Sequence, residues 1–315
     1  MSMNATAAVA SCDKDNALNR PQTLAGKIAL VTGAGRGIGK AIAIAFAQAG
    51  CSVACVSRTR SEVNAVVQLI RSAGVGEAEA FVCDVGDLAA IPVLAAELRR
   101  WIDRPVSILV NNAGVARIGA IEFQRDLGNW NRIMATNLTG PVALVHQFLP
   151  DMISPSGDRG AGSGVIISIG SRNAIYPIPF MSAYSVSKTG LLRFHENLDK
   201  ELRGKGVNIF YAVPGNVETS ILDSCEAIDD KSYCLSAGVQ RMVTLISTAE
   251  KSPSEVVAST CVRLATDKNA GVLSGRYIDL LESYVLNTKT SSFDWRSRKY
   301  HRMSLENNGY RLSPT

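Results

Sequence analysis

The sequence predicts a single α/β domain, a Rossmann-type doubly wound parallel sheet of about seven strands with helices on both faces. Three observations predict it. Short β-branched runs alternate with longer helical stretches, the strand runs are apolar throughout, and a glycine-rich turn joins the first strand to the first helix. Continuous apolar strands are typical of parallel sheets covered on both faces. Their alternation with helices favours a doubly wound architecture.

The seven strands are predicted from runs rich in valine, isoleucine and alanine. They are Lys27–Thr32, Val53–Ser57, Ala80–Asp84, Ser107–Asn111, Val165–Ile169, Asn208–Ala212 and Tyr277–Leu280. A helix is predicted from Gly37 to Gly50. The pattern defines a domain over residues 26–285, with a flexible N-terminal extension at 1–25 and a basic C-terminal tail at 286–315 that lies outside the sheet pattern.

Composition excludes several classes of function. Hydrophobic residues make up 46% of the 315 residues, and most of the net charge of +5 belongs to the tail. Because no basic cluster is interleaved with aromatic residues on the predicted domain, we expect no nucleic-acid partner. No run approaches the roughly 20 apolar residues of a membrane helix, and residues 1–25 lack a signal-peptide pattern. We therefore expect a cytoplasmic protein without a membrane partner.

Cysteine and histidine usage argues against disulfides and metals. Seven cysteines at irregular spacing include no Cys-x-x-Cys pair, and the three histidines are far apart in the chain. An odd, irregular set does not resemble a disulfide framework, and no zinc-ligand spacing is present. Cys51, Cys55 and Cys83 stand in apolar strand runs, where small buried thiols are expected. No metal is predicted.

The first strand runs directly into the turn Thr32–Gly39, and a helix follows. Glycines let a backbone approach a pyrophosphate closely, and a helix N-terminus offers free N–H groups and a positive dipole end. A tight turn without a ligand is the alternative. The position of this turn, as the first strand-to-helix connection of the domain, favours a dinucleotide site.

The residues after the second strand indicate which dinucleotide. Sheets that bind NAD tend to place an acid there, whereas an arginine suits the 2′-phosphate of NADP. The chain reads Ser57-Arg58-Thr59-Arg60 and carries no acid, while Arg36 in the glycine turn adds a second guanidinium. A guanidinium binds phosphate in a bidentate way. This pattern predicts NADP(H). The alternative is that Arg58 and Arg60 are only solvated charges at a helix start, and it applies better to Arg60 than to Arg58.

Tyr184 and Lys188 are four residues apart, so a helix would place them on one face. A tyrosine alone titrates near pH ~10. A nearby ammonium favours the phenolate and is expected to lower that pKa, which makes the pair a candidate acid/base unit. Such spacing is also common on ordinary helix surfaces, so the other motifs must support it.

Taken together, the motifs resemble those of the short-chain dehydrogenase/reductase family over residues 26–281. They occur in the family's order and in strand–turn context: Thr32-Gly33-x-x-x-Gly37-x-Gly39, Asn111-Asn112-Ala113-Gly114, Asn137, Ser171, Tyr184-x-x-x-Lys188 and Pro214-Gly215. The resemblance implies an oxidoreductase that exchanges a hydride between a nicotinamide cofactor and a carbonyl or alcohol. Family members are usually homodimers or homotetramers, which is expected here too.

The resemblance implies four catalytic residues. Tyr184 would be the general acid in reduction and the base in oxidation, and Lys188 would lower its pKa and hold the nicotinamide ribose. Ser171 would hydrogen-bond the substrate oxygen, and Asn137 would belong to the proton relay. Asp84, ending the third strand, would contact the adenine, and Thr219 the carboxamide. The full set of expected cofactor contacts is Gly33, Gly35, Arg36, Gly37, Ile38, Gly39, Ser57, Arg58, Asp84, Val85, Asn111, Ala113, Gly114, Tyr184, Lys188, Pro214, Gly215, Val217 and Thr219.

Two segments bear on the substrate. Residues 220–252 match the position of the family's variable substrate lid and contain several apolar side chains, and Ile175–Met181 is unusually apolar. The second segment either lines a pocket or packs in the core or a subunit contact. Together they suggest a medium-sized, mostly apolar carbonyl or alcohol, compatible with a tailoring enzyme of secondary metabolism. Arg172, beside Ser171, either contacts a polar substrate or points to solvent.

Two other functions remain open at this point. One is an NADP(H)-binding sensor without turnover, which the intact tyrosine, lysine and serine weigh against. The other keeps the fold and the nucleotide but performs a non-redox step, such as cyclisation or isomerisation. Consumption of NADPH in proportion to product separates these from a reductase.

Overall fold

The computed structural model describes residues 23–124, 126–153, 164–217 and 228–280, together with the backbone of 301–306 and 309–314. In this part of the chain, seven parallel strands form one sheet in the order β3-β2-β1-β4-β5-β6-β7. The strands are β1 (Ile28–Thr32), β2 (Ser52–Ser57), β3 (Ala78–Val82), β4 (Val106–Asn111), β5 (Gly164–Ile169), β6 (Val207–Val213) and β7 (Arg276–Asp279). The predicted doubly wound sheet is confirmed.

Helices cover both faces of this sheet. They are α1 (Gly37–Gln48), α2 (Arg60–Ser72), α3 (Ala90–Trp101), α4 (Gly128–Met134), α5 (Gly140–Met152), α6 (Ser182–Glu201), α7 (Asp230–Leu235), α8 (Ala237–Thr248) and α9 (Ser254–Thr266). A π-helical turn at Ala135–Thr139 joins α4 to α5.

The core has two layers because side chains of a strand alternate between the faces of the sheet. In β1, Ala29 and Val31 pack with α1, α2 and α9, whereas Ile28 and Leu30 pack with α3, α5 and α6. All five residues of this strand are buried. Burial on both faces explains why the strand reads as continuously apolar instead of alternating.

Most element bounds differ from the predicted ones by one or two residues, and β3 needs a correction. It ends at Val82, so Asp84 follows the strand instead of ending it. The Asp84 carboxylate accepts a hydrogen bond from the Gly86 amide at 2.9 Å, which places it in a turn. Such a local bond competes with strand pairing.

The predicted terminal segments lie largely outside the described residues. Of the predicted extension at 1–25, the structure describes residues 23–25 only. In the tail, the backbone of β8 (His301–Glu306) and β9 (Gly309–Pro314) pairs antiparallel, as a two-stranded sheet separate from the main one. The boundaries of the domain at residues 26 and 285 stay predictions.

The cysteines expected in the core are there. Cys51, Cys55 and Cys83 are buried. Burial raises the pKa of the Cys51 and Cys55 thiols to about 12 and that of Cys83 to about 11. Because the thiolate is the reactive form, these three act as packing residues.

Replacing Phe46 with alanine is expected to lower the free energy of unfolding by about 3–5 kcal/mol. Its ring is fully buried in the cluster between α1, α9 and the sheet. Equilibrium unfolding in urea measures the loss. Val93→Ala is the control, since Val93 is 56% exposed on α3 and its truncation should change stability by about 0.5 kcal/mol or less. Equal losses in the two variants would contradict this account of the core.

Candidate active site

The site begins where β1 meets α1. Arg36 precedes the helix in an extended conformation, and no side chain caps the first turn. The backbone there lines a long cavity across the carboxyl edge of the sheet. Gly39 must be a glycine because a Cβ would collide with the Gly33 carbonyl. An uncapped helix N-terminus facing a cavity is suited to a phosphate group.

The Thr32 hydroxyl holds the loop after β4 beside this turn. The Thr32 hydroxyl donates to the Val110 carbonyl at 3.2 Å and accepts from the amides of Asn112 and Ala113 at 3.0 and 3.1 Å. The Asn112 side-chain amide donates back to the Thr32 carbonyl at 2.9 Å. These bonds fix the relative position of two loops that both line the cavity.

The adenosine end of the cavity, as the sequence predicts it, is lined by the residues after β2 and β3. Arg36 and Arg58 are both exposed there, and the Arg58 guanidinium lies 3.8 Å from the Asp84 carboxylate. Arg60 is not among the lining residues. Glu62 is, and its carboxylate approaches Gly35. Nothing in the sequence singles out Glu62, because an acid in the first turn of a helix is an ordinary feature.

Ser171, Tyr184 and Lys188 meet on the opposite part of the same cavity. Ser171 follows β5, and its hydroxyl, which lies close enough to the Tyr184 hydroxyl to lower that group's pKa, donates to the Asn173 Oδ1 at 3.1 Å. The Lys188 Nζ lies 5.7 Å from the centre of the Tyr184 ring and donates to the Ile169 carbonyl at 2.8 Å. The helix α6 thus carries two of the three groups, and the end of β5 carries the third.

The pKa values at this cluster correct one expectation. Lys188 was expected to lower the pKa of Tyr184, but burial raises that pKa, with the Ser171 hydrogen bond acting in the opposite direction. Burial also lowers the pKa of Lys188 to about 8. The reason is that the ammonium is itself desolvated and bonds to a backbone carbonyl, so burial decides both values.

Asn137 lies beneath the cavity in the π-helical turn and is 1% exposed. Its side chain accepts from the Val115 amide at 2.9 Å and donates to the Val115 carbonyl at 2.8 Å. The Asn137 amide also donates to the Ser187 hydroxyl at 3.2 Å, and that hydroxyl in turn donates to the Tyr184 carbonyl at 2.7 Å. Asn137 therefore connects the β4 loop with the helix that carries the tyrosine.

The structure brings most of the predicted site residues together. Those that line the cavity are Gly33, Gly35, Arg36, Gly37, Ile38, Gly39, Ser57, Arg58, Asp84, Val85, Ala113, Gly114, Ser171, Tyr184, Lys188, Pro214, Gly215 and Val217. Asn111 is not among them: it is 4% exposed, and its amide donates to the Ser168 hydroxyl at 3.3 Å. Thr219 lies outside the described residues.

The end of the cavity beyond Tyr184 is mostly apolar. Its lining residues are Ile118, Ile175, Tyr176, Ile178, Met181, Val217, Ile228, Met242, Val243, Leu245 and Ile246. Four of them come from the apolar segment 175–181. Of the predicted lid at 220–252, residues 228–252 are described and contribute α7 and α8, and 220–227 lie outside the described part. Arg172 also lines the cavity, and its guanidinium donates to the Asn216 Oδ1 at 2.9 Å.

The lid segment is attached to the domain at its first described residues. Ile118 pairs with Ile228 through a β-bridge, and the Arg117 guanidinium contacts the Asp229 carboxylate at 2.6 Å. Both side chains of this ion pair are less than one-fifth exposed. Val239 of α8 is fully buried against the loop before Tyr184. Helix α8 therefore forms one wall of the apolar end.

Features of two other classes of site are absent from the residues that the structure describes. No group of three or more His, Cys, Asp or Glu side chains there could hold a metal ion. Within the same residues, no helix has the length and apolar character needed to cross a membrane.

Comparison with known proteins gives matches over most of the chain. A family model described as short chain dehydrogenase matches residues 27–229. A short chain dehydrogenase of Pseudocercospora fijiensis is 35% identical over 81% of this chain and 80% of its own length. A D-threitol dehydrogenase of Mycolicibacterium smegmatis is 31% identical over 78% of this chain and 88% of its own length.

A solved structure gives the same result. The crystal structure of a metagenomic short-chain oxidoreductase in complex with NADP is 29% identical, with a TM-score of 0.64. The match covers 82% of this chain and 98% of that chain. The shared architecture therefore extends over nearly the whole of that oxidoreductase.

The lowered pKa of Lys188 predicts a pH-dependent contribution to stability. Between about pH 8 and the unfolded pKa near ~10.4, the unfolded lysine is protonated and the folded one is not, so the stability contribution rises with pH. Relative to Lys188→Met, the wild type should gain roughly 3 kcal/mol across this window. Urea unfolding of both proteins at pH 7.5–10 measures it. Subtracting the variant's free energy of unfolding at each pH removes the contributions of the tyrosine and cysteine titrations. A difference that does not change with pH would refute the lowered pKa of Lys188.

Proposed function

Because the chain belongs to the short-chain dehydrogenase family, whose members are oxidoreductases that use a nicotinamide cofactor, we propose that it is NADP(H)-dependent. It moves a hydride between NADPH and the carbonyl or alcohol group of a medium-sized, mostly apolar small molecule. One observation carries the proposal: Ser171, Tyr184 and Lys188 line the same cavity as the glycine-rich turn. Proton transfer and cofactor binding can therefore occur side by side.

The proposed reaction uses Tyr184 as acid and base. When the carbonyl carbon accepts a hydride, which a bound nicotinamide would supply, its oxygen becomes negative. The hydroxyls of Ser171 and Tyr184 stabilise this oxygen by hydrogen bonds. Tyr184 then gives its proton to that oxygen, which completes the alcohol and leaves a phenolate. In the oxidative direction the phenolate takes the proton back from the alcohol. The raised pKa keeps Tyr184 protonated at neutral pH, which suits an acid.

Lys188 and Asn137 act on Tyr184 in this proposal. An ammonium 5.7 Å from the ring centre stabilises the phenolate that forms when the proton leaves. With a pKa of about 8, Lys188 carries that charge at neutral pH. Asn137 holds the β4 loop and, through Ser187, the start of α6. Its buried position supports a relay or positioning role without direct substrate contact.

The cofactor choice is supported by charge. Arg36 and Arg58 line the predicted adenosine end of the cavity, and both are exposed enough to contact a ligand. Two guanidiniums at this place suit the additional phosphate of NADP. The NADP complex of the metagenomic oxidoreductase is consistent with this choice. The family relationship further supports a homodimer or homotetramer.

The substrate class is supported by the lining of the apolar end. Isoleucine, methionine and valine side chains from the segment 175–181, the lid and the β4 loop dominate it. Such a surface stabilises an apolar body, while Ser171 and Tyr184 select a carbonyl or hydroxyl. Aromatic and other apolar ketones should therefore be better substrates than simple sugars.

Tyr184→Phe is expected to reduce kcat by about 10²–10⁴-fold, because it removes the proton donor and retains the ring. Turnover is followed by NADPH absorbance with a panel of apolar ketones, aldehydes and sugars. NADPH binding, measured by fluorescence titration, should stay close to the wild-type value. Ser259→Ala is the control, since it removes an exposed hydroxyl on α9 far from the cavity.

Three outcomes of this experiment would each contradict one part of the proposed function. Turnover that survives in Tyr184→Phe would refute the acid/base role. A better response to sugars than to apolar ketones would refute the substrate class. Tight NADPH binding without wild-type turnover on any carbonyl or alcohol would favour the sensor or non-redox alternatives.

Arg58→Ala should raise the KM for NADPH by about 10–100-fold and leave the KM for NADH nearly unchanged, because charge-assisted bonds to phosphate are lost. Arg60→Ala is the matched control: it removes the same charge two residues away, outside the lining residues. Steady-state kinetics at low ionic strength measure both. Equal effects of the two variants, or equal effects on both cofactors, would contradict the proposed phosphate contact.

A further inference from the structure

Tyr211 is a fully buried residue of β6 that lies directly behind the proposed catalytic cluster. Its ring stacks on Tyr277 with 6.0 Å between the centroids and makes a perpendicular contact with His195 at the same distance. Two aromatic neighbours of different orientation hold the ring in one position.

Gly170 makes room for this ring. A Cβ at position 170 would lie 2.5 Å from the Cζ atom of Tyr211 and 2.7 Å from its Cδ1, which is too close for any side chain. The glycine continues the sheet through its amide, which donates to the Ala212 carbonyl at 2.7 Å. Gly170 and Tyr211 therefore form a pair matched in size between β5 and β6.

The hydroxyl of Tyr211 connects two of the proposed catalytic residues through their backbones. It accepts a hydrogen bond from the Ser171 amide at 3.1 Å and donates one to the Lys188 carbonyl at 3.1 Å. Burial raises its pKa well above the ordinary value, so the hydroxyl stays protonated and donates. A helical carbonyl can accept this bond because it has a second lone pair.

These bonds set the distance between β5 and α6 at the site. Lys188 makes a second link in the same place, because its Nζ donates to the Ile169 carbonyl at 2.8 Å. The Tyr211 hydroxyl thus links the two elements behind the cluster, while the lysine side chain links them at its inner edge. Loss of one link would leave Ser171 free to move relative to Tyr184.

We propose that Tyr211 is a positioning residue, whose hydroxyl holds Ser171 and Lys188 so that Ser171 and Tyr184 can act on one substrate oxygen. The inference rests on the proposed function. It adds to that function a residue that contacts neither the cavity nor the substrate and acts through the backbone of its neighbours.

Tyr211→Phe tests this, because it retains the ring and removes both hydrogen bonds. The kcat should fall by about 10-fold or more, since small displacements of reacting groups are costly. The Kd of NADPH should change by about twofold at most. The weakened Ser171 contact should shift the apparent pKa for alcohol oxidation upward. Hydrogen exchange of the Ser171 amide, measured without cofactor, should become faster.

Ser274→Ala is the matched control. The Ser274 hydroxyl also accepts from one backbone amide, that of Ile209 in β6 at 3.0 Å, and donates to α6, at the Asp199 carboxylate 2.6 Å away. It therefore joins α6 to β6 instead of β5, at a place that does not line the cavity. This variant should lose stability without a change in kcat per folded site or in the pH profile.

The proposal is overturned if Tyr211→Phe loses stability like Ser274→Ala but keeps its kcat and pH profile. If Tyr211→Phe does not fold, hydrogen exchange in the wild type provides the second test. A Ser171 amide that exchanges as fast as an exposed loop amide would show that the Tyr211 hydroxyl does not hold it, and would also overturn the proposal. Wild-type protein without any turnover would refute the proposed function instead. Faster exchange of the Ser171 amide in Tyr211→Phe would then still support its hydrogen bond to the Tyr211 hydroxyl.

Discussion

The parallel register of β1, β4 and β5 is the constraint on which the site depends. Parallel strands in one sheet end at the same edge, so the loops after these three strands must lie next to one another. The Thr32 hydroxyl then locks the first two loops together with three hydrogen bonds. The third loop carries Ser171, and α6 returns across the edge with Tyr184 and Lys188. The glycine-rich turn and the proposed acid/base cluster thereby share one cavity.

Burial governs the chemistry of the groups around this cavity. It favours the neutral forms, raising the pKa of Tyr184 and lowering that of Lys188 to about 8. The same effect lowers the pKa of His195 to about 3, so its ring is neutral where it hydrogen-bonds the Ser168 hydroxyl at 2.8 Å. His195 is therefore polar but uncharged, whereas Lys188 lies 5.7 Å from the centre of the Tyr184 ring and is a cation at neutral pH.

Sequence reasoning was successful where the signal is local. Continuous apolar runs predicted all seven strands of the main sheet, and the glycine turn predicted the start of α1. It was weaker where a bond formed on folding changes the outcome. Asp84 lies after β3 because its carboxylate caps a turn. Tyr211 stands in an apolar run and reads as a core residue, since its hydroxyl partners are 40 and 23 residues away in the chain.

By itself, the sequence determined the doubly wound sheet, the order of the motifs and the residue types available for proton transfer. These properties follow from periodicity and composition, which act over a few residues. The tertiary structure decided which groups face the cavity: Ser171 and Lys188 do, while Asn111 and Asn137 lie beneath it. It also decided the direction in which the pKa of Tyr184 shifts. Burial depends on every element packed around the ring, and it raises this pKa although a lysine four residues away favours a lower value.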